Sequence, residues 1–267
     1  MKVAYMQYDV AYADVEKNLK TVETMCEQLD ADLLVLPELA FSGYSFVDAS
    51  LLYPLASKST NDLIARRMGS LAKKKSMGII YGTAIYENHH YYNAAVALDE
   101  SGVVHTHRKI TLTDNEKVFA RGGEAAVFSI KGVNVGIMIC FDAWFAPLAT
   151  HLREQGAQLF VVPANFGGPW THDVARVRAL ENTRPVVLVN RTGSEIIASK
   201  RETFCGGSRM IDAYGNVLVV SGQTPNVQVR EITIPEKTAF KSLLSSTMLD
   251  EHNAVKHVIM KTNNKKS

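Results

Sequence analysis

The sequence predicts an α/β protein with two mixed β-sheets and helices on their outer faces. Apolar strand-like segments alternate with amphipathic helical segments through most of the chain, as parallel strands with crossover helices require. Between residues 78 and 110, however, three strand-like segments follow one another through short turns, and strands joined so tightly pair antiparallel. A purely parallel, doubly wound sheet is therefore excluded.

Composition restricts the classes of function. The chain has 267 residues and a formal net charge of only +2, with both signs mixed along it, so we expect no nucleic-acid or membrane-surface partner. Three scattered cysteines are too few for a disulfide framework or a CxxC metal site, and they suggest a reducing compartment. The chain opens with a strand-like segment rather than a signal peptide, and no apolar run approaches the roughly 20 residues that span a bilayer. We therefore expect a cytoplasmic protein.

The first elements place a glutamate at a strand end. Residues 2–8 read as a strand, and residues 14–29 read as a helix whose apolar stripe includes Cys26, which we assign to the core. Residues 32–38 form a short apolar strand that ends at Glu38. An exposed glutamate would be the default interpretation, but the loop that follows is mostly apolar.

The next elements place a lysine in a similar position. A helix is predicted over residues 61–75, followed by strands over 78–86, 91–98 and 103–110. The last of these delivers Lys109 at its end. A lysine after a strand is usually an ordinary surface residue, so Lys109 carries little weight by itself.

Residues 132–147, GVNVGIMICFDAWFAP, contain an apolar strand that stops at Cys140. Pro147 suits the first turn of a helix, and Gly156 suits its end. A cysteine at such a strand end lies where open α/β sheets bind their ligands, near backbone N–H groups that favour a thiolate. The alternative is a small buried hydrophobic residue, and this segment alone does not choose between the two.

The second half repeats this design. An apolar strand ends at Pro163 and is followed by Asn165, by a loop over 166–170 and by a helix over 171–183. Further strands are predicted near residues 186–190, 205–212, 216–220 and 227–232. After Pro235 the pattern weakens, and the final TNNKKS is expected to be a frayed tail.

Glu38, Lys109 and Cys140 together supply what cysteine-dependent amide hydrolysis needs: a base, a fixed cation and a nucleophile. The segments LPELAFSGY, HRKITL and GIMICFDAWF, which hold these residues, are similar to the three signature segments of the nitrilase (carbon–nitrogen hydrolase) superfamily. NFGGPW, VNRTG and GGSRMIDAYGNVL are further matches in the family's order, and the resemblance covers roughly residues 1–234.

The resemblance implies a four-layer α-β-β-α sandwich with two mixed β-sheets and a Glu38–Lys109–Cys140 triad. It implies a supporting glutamate, for which Glu116 is the candidate. It also implies no metal or organic cofactor, and a homodimer formed through the helices that flank the cysteine and the C-terminal region. The expected domains are a hydrolase domain over residues 1–234 and a dimer-contacting C-terminal extension over 235–267.

One departure from the family pattern bears on the dimer. Many members have Phe-Pro-Glu after the cysteine segment, whereas this chain has Phe145, Ala146 and Pro147. The missing acidic residue leaves the triad intact but puts the usual helix-start contacts and dimer packing in question.

Other interpretations remain. A Cys–His hydrolase would need His151 or His172, which we expect at the surface of helices. Cys205 is expected to be a packing residue near the pocket. A nitrilase acting on a small nitrile and a catalytically silent binding protein of the same fold are further alternatives, although a silent protein is expected to lack one of the triad residues.

The predicted reaction is hydrolysis of a small amide or N-carbamoyl compound through a thioester on Cys140, with Glu38 as the base. Lys109 and the backbone N–H of Phe141 would hold the oxyanion. The candidate residues of the substrate pocket are Phe41, Tyr44, Phe141, Trp144, Asn165, Phe166 and Trp170. Residues 142–145, with Trp144 at the third position, resemble the D-x-W-F pattern of N-carbamoyl hydrolases more than the D-x-R-F pattern of ω-amidases. This favours a neutral substrate over a dicarboxylate monoamide.

Overall fold

The computed structural model describes residues 1–46, 49–197, 200–241 and 247–263, with side chains 197, 200, 262 and 263 left out of the description. The helices in these ranges are α1 (Val15–Met25), α2 (Ala49–Ala56), α3 (Lys58–Lys75), α4 (Ala146–Glu154), α5 (Trp170–Asn182) and α6 (Met248–Asn263). Short 3₁₀ turns cover Asp114–Glu116 and Cys140–Trp144.

The first sheet is mixed, as the sequence predicts. Its strands are β1 (Lys2–Gln7), β2 (Leu33–Val35), β3 (Gly78–Glu87), β4 (His90–Asp99), β5 (Gly102–Arg108) and β14 (Asn226–Glu231). They lie in the order β14-β1-β2-β3-β4-β5. The strands β1, β2 and β3 are parallel, whereas β4, β5 and β14 are each antiparallel to their neighbours.

The second sheet has the same plan. Its strands are β6 (Val127–Ile130), β7 (Val133–Ile137), β8 (Leu159–Pro163), β9 (Val186–Val189), β12 (Arg209–Ile211) and β13 (Val217–Val220). The order is β13-β12-β9-β8-β7-β6, with β7, β8 and β9 parallel. A separate antiparallel hairpin consists of β10 (Ser194–Ile197) and β11 (Lys200–Thr203).

Apolar side chains bind the layers together. Alternate residues of the first sheet, such as Tyr5, Val35 and Ile80, pack against the second sheet, while their neighbours pack against the outer helices. Because side chains alternate between the two faces of a strand, each strand of the first sheet contributes to both interfaces. The fold is therefore the predicted four-layer α-β-β-α sandwich.

Most predicted elements are present with small shifts in their ends. Asp14 caps α1 as predicted, its side chain accepting from the Lys17 N–H over 3.0 Å, and Pro147 lies in the first turn of α4. The helices α2 and α6, strand β6 and the β10–β11 hairpin were not predicted. The helix α6 includes the first two residues of the expected frayed tail, and residues 264–267 lie outside the described part of the chain.

The C-terminal segment is held by a buried arginine. Arg184 donates to the backbone oxygens of Ala157, Lys237 and Ala239, which attaches the segment before α6 to the second sheet. His252 of α6 lies 2.9 Å from a carboxylate oxygen of Glu154 at the end of α4. Within the described ranges, no helix is both long and apolar enough to cross a membrane.

Candidate active site

Two strand ends of the first sheet bring Glu38 and Lys109 together. Glu38 follows β2, and Lys109 follows β5, which runs in the same direction as β2 because β4 reverses the chain once and β5 reverses it again. Gly82 of β3 permits the turn at Glu38. A Cβ atom there would lie 2.4 Å from the Leu39 nitrogen and 2.5 Å from the Glu38 Cα, so a larger residue would push the glutamate away.

The lysine lies between two carboxylates. Lys109 Nζ donates to Glu38 Oε1 and to Glu116 Oε1, each over 2.7 Å, and all three side chains are buried. Asn93 of β4 donates to the same two oxygens, over 2.6 Å to Glu38 and 3.0 Å to Glu116. The other oxygen of Glu38, Oε2, is buried without a protein hydrogen bond from any described residue. It is therefore free to accept a proton from an incoming group.

Glu116 is fixed by a capping turn. Its Oε2 accepts from the N–H and the hydroxyl of Thr113, each over 3.0 Å. This turn directs Glu116 inward, onto Lys109, and holds it there with charge-assisted hydrogen bonds.

The second sheet supplies Cys140. It follows β7 with a φ of +49°, a left-handed conformation that is uncommon for a residue with a side chain and that concentrates at functional sites. Its Sγ lies 3.9 Å from the backbone oxygen of Asn165, which follows β8. Asn165 in turn donates from its side chain to the backbone oxygen of Glu38 over 2.9 Å, so it connects the cysteine side of the site to the glutamate side.

Asp142 connects the cysteine turn to the lysine segment. Its Oδ1 accepts from the N–H of Ile110 (3.2 Å), the N–H of Thr111 (2.8 Å) and the Thr111 hydroxyl (2.8 Å). Its Oδ2 accepts from the N–H of Ile139 over 3.1 Å. The two backbone segments that carry Lys109 and Cys140 therefore share one buried carboxylate.

Burial sets the charge states of the cluster. Burial raises the pKa of Glu38 to about 7, although Lys109 opposes this shift. Burial and the neighbouring Glu38 raise the pKa of the Cys140 thiol well above its usual value. Burial alone would lower the pKa of Lys109, but Glu38, Cys140 and Glu116 raise it well above the usual range. The resting site therefore holds a charged lysine and a protonated thiol, and needs a base to activate that thiol.

Five of the seven candidate pocket residues form two groups near the cluster and the cysteine turn. Tyr44, Asn165 and Phe166 are buried close to the cluster, and Phe166 packs in the same apolar cluster as Cys140. Phe141 and Trp144 have ring centroids 6.0 Å apart on the turn after the cysteine, and Trp144 donates from its ring to the Thr171 hydroxyl.

Two of the predicted wall residues lie elsewhere. Phe41 packs edge-on against Tyr81 in the core between the helices and the first sheet. It lies there, and not between the two sheets, because strand alternation turns Tyr81 and its partner away from the second sheet. Trp170 is 67% exposed and lies against Gly168, so it covers the surface near the start of α5 rather than a buried wall.

The alternative nucleophiles and bases are placed as follows. Cys26 is buried in the helix-side core, as predicted, and Cys205 packs against the core that contains Cys140. His151 is exposed on α4. His172 is buried, contrary to the prediction, because its ring packs against Phe166 and its Nε2 lies 3.3 Å from the Gly206 backbone oxygen.

Sequence reasoning missed Asn93, Thr113 and the bridging role of Asp142. A signal existed for Asn93, since it is a polar residue inside the apolar strand β4 and a buried amide needs partners. Thr113 and Glu116 have the T-x-x-E spacing of a capping box. Asp142 gave no such signal, because three of the four groups that donate to it lie about thirty residues earlier in the chain.

The fold is that of a nitrilase-superfamily protein. Solved structures with the same fold include a carbon–nitrogen hydrolase from Helicobacter pylori (TM-score 0.78, 19% identity, 87% of this chain and 88% of that one). Another is an amidase from Nesterenkonia with acrylamide added at its active-site cysteine (TM-score 0.78, 23% identity, 87% and 93%). The carbon–nitrogen hydrolase family model matches residues 2–241, and the chain belongs to this family.

Curated relatives carry several different activities in their names. A protein named nitrilase from Pyrococcus abyssi is 31% identical over 88% of this chain and 90% of its own length. A 2-oxoglutaramate amidase from Bacillus subtilis is 28% identical over 88% and 91%. An N-carbamoylputrescine amidase from Solanum tuberosum is 28% identical over 78% of both chains.

Proposed function

We propose that this protein hydrolyses a carbon–nitrogen bond of a small amide or N-carbamoyl compound through a thioester on Cys140. The observation that carries the proposal is the position of Lys109 Nζ, 2.7 Å from both Glu38 and Glu116. This arrangement uses one oxygen of Glu38 and leaves the other without a protein partner among the described residues, within electrostatic reach of a protonated thiol.

The first half-reaction forms the thioester. Glu38 takes the thiol proton as the Cys140 sulfur bonds to the carbonyl carbon, and the carbonyl oxygen becomes an oxyanion held by Lys109 and the Phe141 N–H. The carbon–nitrogen bond then breaks, and the leaving nitrogen takes the proton from Glu38 and departs as ammonia or an amine.

The second half-reaction releases the acid. Glu38, again a carboxylate, takes a proton from water as the water oxygen attacks the thioester carbon. The carbon–sulfur bond breaks, and the proton on Glu38 returns to the Cys140 sulfur. The same carboxyl therefore serves both half-reactions, which fits a group whose pKa burial raises to about 7.

For the substrate class, we propose a ureido compound or a neutral amide. Trp144, whose ring lies beside Phe141, is a neutral residue at the motif position where the D-x-R-F pattern has an arginine, and a cation there would suit a dicarboxylate monoamide. The names of the relatives do not choose, since the 2-oxoglutaramate amidase and the N-carbamoylputrescine amidase are each 28% identical to this chain.

A panel assay tests this proposal. Ammonia release would be measured with N-carbamoyl amines, neutral amides, 2-oxoglutaramate, succinamate and small nitriles on one enzyme preparation. We expect the highest kcat/KM with an N-carbamoyl amine or a neutral amide. A clear preference for the two acidic monoamides would contradict the substrate class, and hydrolysis of nitriles faster than their amides would favour the nitrilase alternative that the Pyrococcus abyssi relative supports.

We also propose a homodimer, acting in the cytoplasm. Its support is a row of exposed apolar residues on α5, formed by Trp170, Val177 and Leu180, with Tyr214 also exposed. Sedimentation should show a dimer for the wild type and a monomer for Val177→Glu, whereas Val103→Glu, at an exposed valine of β5, should stay dimeric. A monomeric wild type would contradict the dimer, and cell fractionation tests the compartment.

A further inference from the structure

A buried carboxylate outside the catalytic cluster holds the segment that follows Glu38. Glu195 lies on β10 and is almost fully buried. Its Oε2 accepts from the backbone N–H groups of Tyr44 and Ser45, each over 2.9 Å, and from the Ser45 hydroxyl over 2.5 Å. Three donors of two adjacent residues therefore converge on one oxygen.

The other oxygen of Glu195 is fixed by Arg191. This arginine is fully buried, donates from Nη1 to Glu195 Oε1, and donates from Nη2 to the backbone oxygen of Val10 over 2.7 Å. A buried carboxylate is stable only when it is paired, and here the pairing also fixes the direction in which Oε2 points. Glu195 and Arg191 together form a rigid anchor for the Tyr44 segment.

Glu195 lies so close to the backbone at position 43 that only glycine fits there. Gly43 has a φ of +82°, and a Cβ atom there would lie 2.8 Å from Glu195 Oε1. Any side chain at this position would clash with the Glu195 carboxylate, so the glycine allows the carboxylate to pack against the segment.

Tyr44 continues from this anchor toward the lysine. Its ring packs edge-on against Phe204, and its hydroxyl lies 3.1 Å from the Thr113 hydroxyl. Thr113 gives its only hydroxyl hydrogen to Glu116, so Tyr44 must be the donor in this contact. Glu116 then accepts from Lys109, and an unbroken series of contacts runs from Glu195 to the catalytic cation.

We propose that Glu195 is a positioning residue for hydrolysis, acting through Tyr44 on Glu116 and Lys109. This rests on the proposed function, in which Lys109 stabilises the oxyanion. A lysine displaced by a fraction of an ångström would lose more of its interaction with the transition state than with the bound substrate, so the defect should appear mainly in kcat.

The test compares Glu195→Gln with Glu202→Gln. Glu202 lies opposite Glu195 on β11, so the control makes the same change in the same hairpin. Glu195→Gln replaces one acceptor oxygen by an N–H₂ group that faces donors on either side. We expect kcat to fall about 10-fold or more with a smaller change in KM, and alkylation of Cys140 by iodoacetamide, followed by mass spectrometry, to slow as well. Glu202→Gln should match the wild type in both measurements.

A double-mutant cycle with Tyr44→Phe separates positioning from a general loss of stability. If Glu195 acts through the Tyr44 hydroxyl, Glu195→Gln should cost much less in the Tyr44→Phe background than in the wild type. Additive effects, or a wild-type kcat and alkylation rate for Glu195→Gln, would overturn the proposal. If Glu195→Gln does not fold, Tyr44→Phe by itself must lower kcat, and an unchanged kcat would overturn it.

The two proposals fail in different ways. A wild-type protein that hydrolyses no compound of the panel contradicts the proposed function. The alkylation rates still test the anchor in that case, because they need no substrate: equal rates for the wild type and Glu195→Gln count against it.

Discussion

Replacing Asp142 by asparagine changes the shape of the side chain very little, but it should destabilise the protein strongly. The carboxylate accepts four hydrogen bonds at 2.8–3.2 Å, three on Oδ1 and one on Oδ2. In Asp142→Asn the three bonds to Oδ1 become neutral, at a cost of about 1 kcal/mol each. The Ile139 N–H loses its acceptor and faces an N–H₂ group, which costs about 1–3 kcal/mol more.

The sum is about 4–6 kcal/mol before any compensation. The new N–H₂ group faces His107 Nε2, which lies 3.6 Å from Oδ2 and has no described hydrogen-bond partner, and this contact offsets up to about 1 kcal/mol. A net loss of about 3–6 kcal/mol lowers Tm by roughly 10–20 °C for a chain of this size. Rotating the amide does not help, because its N–H₂ group would then face the two N–H groups at Ile110 and Thr111.

Thermal unfolding followed by circular dichroism measures this effect, with Asp212→Asn as the matched control. Asp212 also accepts from backbone N–H groups, those of Tyr214 and Asn216, but it lies in a half-exposed turn where water can replace a lost partner. The control should lose no more than about 1 kcal/mol. A Tm for Asp142→Asn within 2 °C of the control would refute the argument that the buried carboxylate joins the two segments.

The remaining predictions concern the chemistry. Cys140→Ala should keep the wild-type circular dichroism spectrum and lower kcat by about 10³-fold or more, while Cys205→Ala should stay active. The reverse result would show that Cys140 is not the nucleophile. Lys109→Gln should cost roughly 3 kcal/mol of transition-state stabilisation, and Lys109→Arg should not restore it because a planar guanidinium cannot occupy the place of an ammonium; near-normal rates for either would assign Lys109 to structure alone. Burial raises the pKa of Glu38 to about 7, so the carboxylate base is populated as the pH rises from about 6 to 8 and kcat/KM should rise over that range; a flat profile would contradict its role as base. Activity should survive EDTA and be lost on thiol alkylation; inactivation by EDTA with recovery on adding zinc would indicate metal-activated water instead.

The sequence predicted the parts of the fold whose signal is local. Apolar runs located the strands before Glu38 and Cys140, and Pro147 located the start of α4. The helix α2 was missed because Pro54 lies inside it, and α6 was missed because most of its apolar side chains are exposed, so no buried stripe marked it.

The site was predictable only as a set of residue types at strand ends. Glu116, the second carboxylate beside Lys109, was assigned only through the family resemblance. Its geometry depends on a turn formed with Thr113. The contacts of Asp142 and Glu195 join segments about 30 and 150 residues apart in the chain, and no periodicity within either segment reports them. The position of Phe41 could not be predicted for the same reason, since the direction of a loop side chain depends on which face of the neighbouring strand it meets.

The division of the cluster between the two sheets has a consequence for how the molecule fails. Glu38 and Lys109 follow strands of the first sheet, whereas Cys140 and Asn165 follow strands of the second. Neither sheet alone therefore carries all the groups of the cluster. A partly unfolded molecule that kept both sheets but let them slide apart would retain its secondary structure and lose its chemistry. Catalytic activity should therefore depend on the packing of the two sheets against each other. In a denaturant titration it should disappear no later than the far-ultraviolet circular dichroism signal of the strands.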